Sequence, residues 1–336
     1  MIARAAHVAL ALALALALAA TPAAATPAWQ TATADERQAA RAYDEAMLAG
    51  DDALALAVAS QVREPRRRLV ERALRAYALA AMARPEAVEP HQRAAATLRA
   101  FYVDCRADDD AALCDGRGDR VDQVAGERLI DAWNAIERLA PMDPQVVEHI
   151  LFDRAIVHTK LFVGAHLEAA LADYQTLLAR RGVTGSSPLL SAVGQRATVL
   201  GNLAETEMML GRLDDAIDHY REAFGLSGDV AHGYGLAVAL DRDEQRQAAA
   251  EVLARMGRAT VEDFPLALGR GGIFYVPAGE VYYYLGLGAE FLGDDVAALE
   301  HFQTYLASGA NPRYQPRAVA HVAAARARLA RRRGAR

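Results

Sequence analysis

The residues able to do chemistry are few and scattered. Cys105 and Cys114 are the only cysteines in the 336-residue chain, and they bracket Asp108, Asp109 and Asp110, with Asp115 and Asp119 just beyond. Two thiols can close a disulfide in an exported chain but lack the second pair that a structural zinc site needs. A Cys105–Cys114 bond is the expectation, and a loop this short contributes about 2–3 kcal/mol through chain entropy. The aspartates could attract calcium, yet their spacing departs from D-x-D-x-D-G, which leaves a solvated acidic loop. His149, His158 and His166 are spaced by nine and eight residues, a pattern that fixes no convergence on a metal. Glu205 and Glu207 lie two apart and diverge on a helix, so they make no acid–base pair.

The sequence contains no H-E-x-x-H, G-x-S-x-G or C-x-x-C-H pattern, the signatures of zinc proteases, serine hydrolases and c-type haem attachment. The single lysine, Lys160, follows Thr159, whereas the lysine of a phosphate loop follows glycine. Gly286-Leu287-Gly288 with Gly293 imitates part of a dinucleotide fingerprint but sits in a helical run, where a small packing residue is the simpler reading. Arg117-Gly118-Asp119 is left to chance. The expectation is a chain that is not an enzyme, with no catalytic residue, no cofactor and no metal.

The elements that must position these residues are helices. Apolar residues make up 53 % of the chain, much of it alanine, while aromatics are 7 % and runs of Val, Ile and Thr are scarce; alanine favours helix and lets helices approach closely. A net charge of −6 offers no field to recruit nucleic acid. Arg4, the apolar run Val8–Ala20 and the small pair Ala23 and Ala25 match a signal peptide over 1–25. The run is short for a hydrocarbon core of ~30 Å, which needs about 20 apolar residues. A linker follows over 26–34. No later stretch is apolar enough to span a membrane, so the mature chain is expected in the periplasm or outside the cell. The region 35–140 reads as helices: a pair, Asp35–Ala49 and Asp51–Val62, around Gly50; then Leu69–Ala83, Gln92–Val103 and Val121–Leu139, with Cys105–Gly118 irregular.

The remainder, 141–336, is organised around Ala197–Val230. Leu200, Leu203, Ala204 and Met208 recur at helical spacing, as do Leu213, Ala216, Ile217, Tyr220 and Phe224, with Gly211 between the runs and Asp214 and Asp215 suited to a helix start. Ala204, Gly211, Ala216, Tyr220 and Ala223 fall where the tetratricopeptide repeat places small, turn and aromatic residues, and the stretch resembles that 34-residue helix–turn–helix. Leu200 stands in place of the repeat's usual tryptophan. Residues 279–312 resemble it too, through Tyr282, Leu285, Gly286, Gly293, Ala298, Leu299 and Phe302. Residues 145–180, paired around Gly164, and 230–263 resemble it less closely. An insertion at 257–279 holds the strand formers Ile273, Phe274, Tyr275 and Val276, and an Ala- and Arg-rich helix from Pro316 would cap the stack.

The resemblance implies an all-α fold, an α-solenoid of antiparallel helix pairs in a right-handed superhelix, and a scaffold that binds a peptide or helix of a cell-envelope partner. First helices line the concave face of such repeats. That implies a groove made of Thr198, Asn202, Glu205 and Met209, then Tyr234, Val238 and Asp241, then Tyr283, Tyr284 and Leu287. Asn202 matches an asparagine that some family members use to hold a ligand's backbone or carboxylate. The alternative is that Tyr282–Tyr284 pack against residues 264–278 and the insertion fills the groove. Two other functions stay open: an enzyme or metal-binding protein with its site in 35–140, and self-association through alanine-rich faces. The C-terminal arginines, from Arg326 to Arg336, read as charges suited to a helix C-terminus, with contact to an acidic lipid surface as the functional alternative.

Overall fold

The computed structural model describes residues 33–104, 111–114, 121–139, 144–184, 193–269 and 276–334. Among these the chain is helical, with no strand, and no helix is long and apolar enough to cross a membrane. The expected signal peptide, most of the linker, Cys105, the aspartates at 108–110, 115 and 119, and Ile273–Tyr275 lie outside the described residues. Cys114 is buried. The chain forms two compact units, Met1–Met142 and Asp143–Arg336.

In the first unit, α1 (Ala34–Ala59) is one helix of 26 residues, where the sequence suggested two around Gly50. The reason is close approach. A Cβ at Gly50 would lie 2.5 Å from the ring of Tyr77, so glycine here admits a neighbouring helix and ends none. Thr33 starts α1 with a capping box: its Oγ1 accepts the Glu36 amide, and Glu36 accepts the Thr33 amide at 2.6 Å. The neighbour is α2 (Arg63–Ala83), which begins before the run expected from Leu69. Its early arginines oppose the helix dipole, but buried Arg66 turns back and donates to the Ser60 carbonyl at 2.9 and 2.6 Å. Tyr77 donates to Asp51 at 2.8 Å, and Ala53, Ala73 and Ala80 pack with it in one cluster. Helix α3 (Glu89–Leu98) runs into a π turn at Arg99–Val103, and α4 (Gln123–Leu139) closes the unit.

The second unit contains α5 (Pro144–Leu161), α6 (Gly164–Thr184), α7 (Val193–Leu210), α8 (Leu213–Ser227), α9 (Val230–Arg242), α10 (Arg246–Met256), α11 (Arg258–Gly269), α12 (Ala278–Leu292), α13 (Asp295–Ala307) and α14 (Gln315–Gly334). Each helix from α5 to α10 packs on the next, and α12, α13 and α14 do likewise. Three first helices end in the same way. The amides of Gly211 and Arg212 bond back to Met208 and Glu207, those of Glu244 and Gln245 to Asp241 and Leu240, and those of Gly293 and Asp294 to Glu290 and Ala289. Each is a Schellman cap with its turn residue left-handed: φ is +83° at Gly211, +62° at Glu244 and +82° at Gly293. The α5–α6 turn is made by Phe162 at φ +52°, while Gly164, expected at the turn, is already the first residue of α6. The described part of the insertion is helical: residues 258–269 form α11, and Val276 is buried outside any strand.

Candidate functional site

Helix α9 lies in the interior of the second unit, with every residue from Ala231 to Arg242 buried. Asp241, near its end, accepts from Tyr283 at 2.7 Å, from Nε2 of His321 at 2.7 Å and from Arg317 at 2.6 Å. The other ring nitrogen of His321, Nδ1, lies 2.6 Å from Glu290. An imidazole between two carboxylates donates from both nitrogens and is therefore charged. Burial acts against that charge, but the bonds to Asp241 and Glu290 prevail and raise the His321 pKa. Burial acts against the Asp241 carboxylate too, and the His321 and Arg317 bonds hold it below the usual carboxylate range. Arg246 and Arg328 complete the charge balance at Glu290, and Arg328 also binds Asp295 at 2.5 Å.

A second buried pair adjoins the first. Arg242 and Glu280 are each about 1 % exposed and bonded to one another. The Arg242 guanidinium lies 4.5 Å over the Tyr283 ring and 4.2 Å over that of Tyr314, an arrangement that stabilises a desolvated cation. Glu280 also accepts the Asn311 amide at 2.7 Å, Asn311 donates to the Met209 carbonyl at 2.9 Å, and Tyr314 donates to the Met208 carbonyl at 2.5 Å. The segment between α13 and α14 is thereby stitched to the end of α7.

Glu205 is wholly buried. Its Oε2 accepts from Tyr220 at 2.5 Å and from Tyr284, whereas Oε1 has no hydrogen-bond partner among the described residues. Burial pushes its carboxyl up to about 7, against the pull of the two tyrosine bonds.

Most of the residues expected to face a partner are enclosed by the chain. Nine of them, Asn202, Glu205, Met209, Tyr234, Val238, Asp241, Tyr283, Tyr284 and Leu287, are buried; Thr198 is half-buried, and its carbonyl accepts from Asn202 at 2.9 Å. The structure brings Glu205 to Tyr284 and Asp241 to Tyr283. It seats Phe264 of α11 flat on Tyr234, ring centroids 3.6 Å apart, with Tyr284 at 6.3 Å. The interior is filled by the chain itself, through α11 and through the Arg317 and His321 side chains of α14. Sequence reasoning missed His321, Glu290, Arg242 and Glu280. Asp241 and His321 are bonded across 80 residues, and no local spacing announces such a pair.

Open space lies at the margins of this interior: a cleft of about 370 Å³ between α10 and α12 is lined by Leu253, Leu287, Phe291, Arg246, Glu290 and Arg328. A cleft of about 410 Å³ between α8 and α10 has an apolar lining of Phe224, Leu236, Leu240 and Val252 and carries two cations, Arg221 and Arg255, with one carboxylate, Glu251. Among the three histidines of the second unit's first pair, the structure brings His158 and His166 together, Nδ1 to Nδ1 at 2.9 Å. His149 is exposed elsewhere on α5. Burial, then the neighbouring His166, pushes the His158 pKa down to about 4. Among the described residues no group of three or more His, Cys, Asp or Glu side chains is placed to hold a metal ion.

The chain matches no model of a known protein family. A comparison with curated proteins likewise returns no match.

Proposed function

We propose that the chain is an exported, non-enzymatic scaffold: a tetratricopeptide-like α-solenoid, its second unit a right-handed superhelix, that holds an amphipathic peptide or helix of a cell-envelope partner. The observation that carries the reading is the cleft between α8 and α10. Its apolar floor suits the hydrophobic anchors of such a segment, and Arg221 and Arg255 suit acidic residues beside them. Among the described residues Arg221 is engaged by Asp218 alone, one turn away on the exposed surface, and Arg255 is exposed, so both guanidinia are accessible to a partner. The filled interior supports placing the partner at this cleft rather than along the first helices.

A photoactivatable residue in place of Ala248, in the cleft, tests the reading in intact cells. The expected result is one discrete crosslinked species that Arg221→Glu with Arg255→Glu removes. No adduct, or the same adducts from a probe at Arg326, overturns it. Export and oxidation belong to the same proposal. The mature chain is expected in the envelope fraction with residues 1–25 removed, and with Cys105 and Cys114 resistant to alkylation until reduced; intact mass with and without reductant reads both.

A further inference from the structure

Helices α5 and α6 meet at a tight turn, and that turn sets two imidazoles against each other. Phe162, left-handed at φ +52°, folds the chain back, and Arg154 binds Asp173 with two bonds of 2.8 and 2.7 Å that fix one helix on the other. His158, near the end of α5, and His166, in the first turn of α6, then lie with Nδ1 atoms 2.9 Å apart, ring centroids 5.0 Å apart and planes inclined by 35°. His158 is buried and His166 is half-buried. In the metal-free chain one Nδ1 donates to the other.

The same separation suits a metal once the two rings, which in the hydrogen bond face one another, turn so that both Nδ1 lone pairs converge to one side of the line joining them. Two nitrogens 2.9 Å apart, each bonded to one ion at about 2.0–2.1 Å, subtend about 90°. That is the angle between adjacent ligands in a square-planar or tetragonal field, the preference of copper(II) and nickel(II); tetrahedral zinc needs its donors about 3.4 Å apart. The geometry points to an exchangeable copper(II) or nickel(II) site formed by Nδ1 of His158 and Nδ1 of His166. With two protein ligands among the described residues, the remaining positions fall to water, so the ion exchanges freely and does not hold the fold. Both imidazoles bind as neutral donors. The ring that donated from Nδ1 takes its proton on Nε2 instead. Arg154, whose charge is felt at His158, is paired with Asp173.

The test uses the full chain without a polyhistidine tag, titrated with copper(II) chloride and followed by electron paramagnetic resonance and by calorimetry. The expected result is one tetragonal copper per chain with splitting from two imidazole nitrogens. In His166→Ala that signal is lost and affinity falls at least about tenfold, while the helical circular dichroism is unchanged. His158→Asn, which keeps a polar side chain at the buried position, is expected to lose the signal as well. Copper bound equally by the His166→Ala chain, or no bound copper in the parent, overturns the assignment. Neither outcome bears on the cleft between α8 and α10.

Discussion

Glu205 is a carboxyl whose charge the interior resists. Both tyrosine hydroxyls donate to one of its oxygens, and the other carries no partner among the described residues, the natural seat of a proton. Its folded pKa of about 7 lies above the ordinary 4.5. The stability it contributes is thus complete below pH 4.5 and is lost as pH rises through about 7. Glu205→Gln keeps an acceptor for the tyrosines and removes the titration. Urea melts of the two chains at pH 5 and pH 8 should show the variant gaining on the parent by on the order of 2–3 kcal/mol at the higher pH. A gap independent of pH would mean that the carboxyl does not titrate in this range. Glu244 is a second residue-scale case. It occupies the cap position that glycine fills at Gly211 and Gly293, and does so at φ +62°. Relieving that backbone should outweigh the added freedom of the unfolded chain, so Glu244→Gly should stabilise by about 0.5–1 kcal/mol, read as a higher denaturation midpoint with unchanged slope.

At the scale of elements, α14 is tied to α9 and α12 through His321. The charged and titratable groups around the ring are Asp241 on α9, Tyr283 and Glu290 on α12, Arg246 on α10, and Arg317 and Arg328 on α14 itself. The folded pKa of His321 is raised above 6.5. Its contribution is therefore complete below 6.5 and is lost as pH rises through the folded value, where a neutral ring can serve only one of the two carboxylates. His321→Ala removes both donors and leaves two buried acceptors. It should cost about 3 kcal/mol at neutral pH, and hydrogen exchange should speed up in α14 before it does in α8. Equal exchange in the two helices would contradict a local anchor. These helices also mark what the sequence can reveal. Gly211 and Gly293 were legible as ends because glycine lies between two apolar periods and acidic residues follow. Gly50 looked the same and ends nothing, because glycine serves a left-handed turn and a close approach equally well. Only the position of Tyr77, 27 residues on, separates the two uses. His158 and His166 were visible as residues but not as a pair, since their meeting depends on Phe162 adopting a backbone conformation that phenylalanine seldom takes.

At the scale of the whole molecule, the question is where a partner can be met. The repeat resemblance located small and aromatic residues correctly as packing positions, with Ala204, Ala216, Tyr220 and Ala223 all fully buried. It also assigned the other face of the first helices to a ligand, and that face is occupied by Phe264, His321 and Arg317 from the same chain. The difference arises from side chains distant in sequence, Phe264 on α11 and Arg317 and His321 on α14, that fold back over these helices, which no single helix pair can announce. Two substitutions separate the consequences. Tyr283→Ala empties a site packed against Phe302, Tyr305 and His321 and strips a donor from Asp241, so it should cost about 3–5 kcal/mol and lower the thermal midpoint. Arg255→Glu lies at the cleft between α8 and α10 and should change stability by less than about 0.5 kcal/mol. Yet it should weaken the crosslinked species from a probe at Ala248, because reversing one rim charge sets it against an acidic partner. If partner capture tracked Tyr283 in chains shown by circular dichroism to be folded, and ignored Arg255, the interior would have to open for binding, and α14, held by Arg317, His321 and Arg328, would be the element that moves.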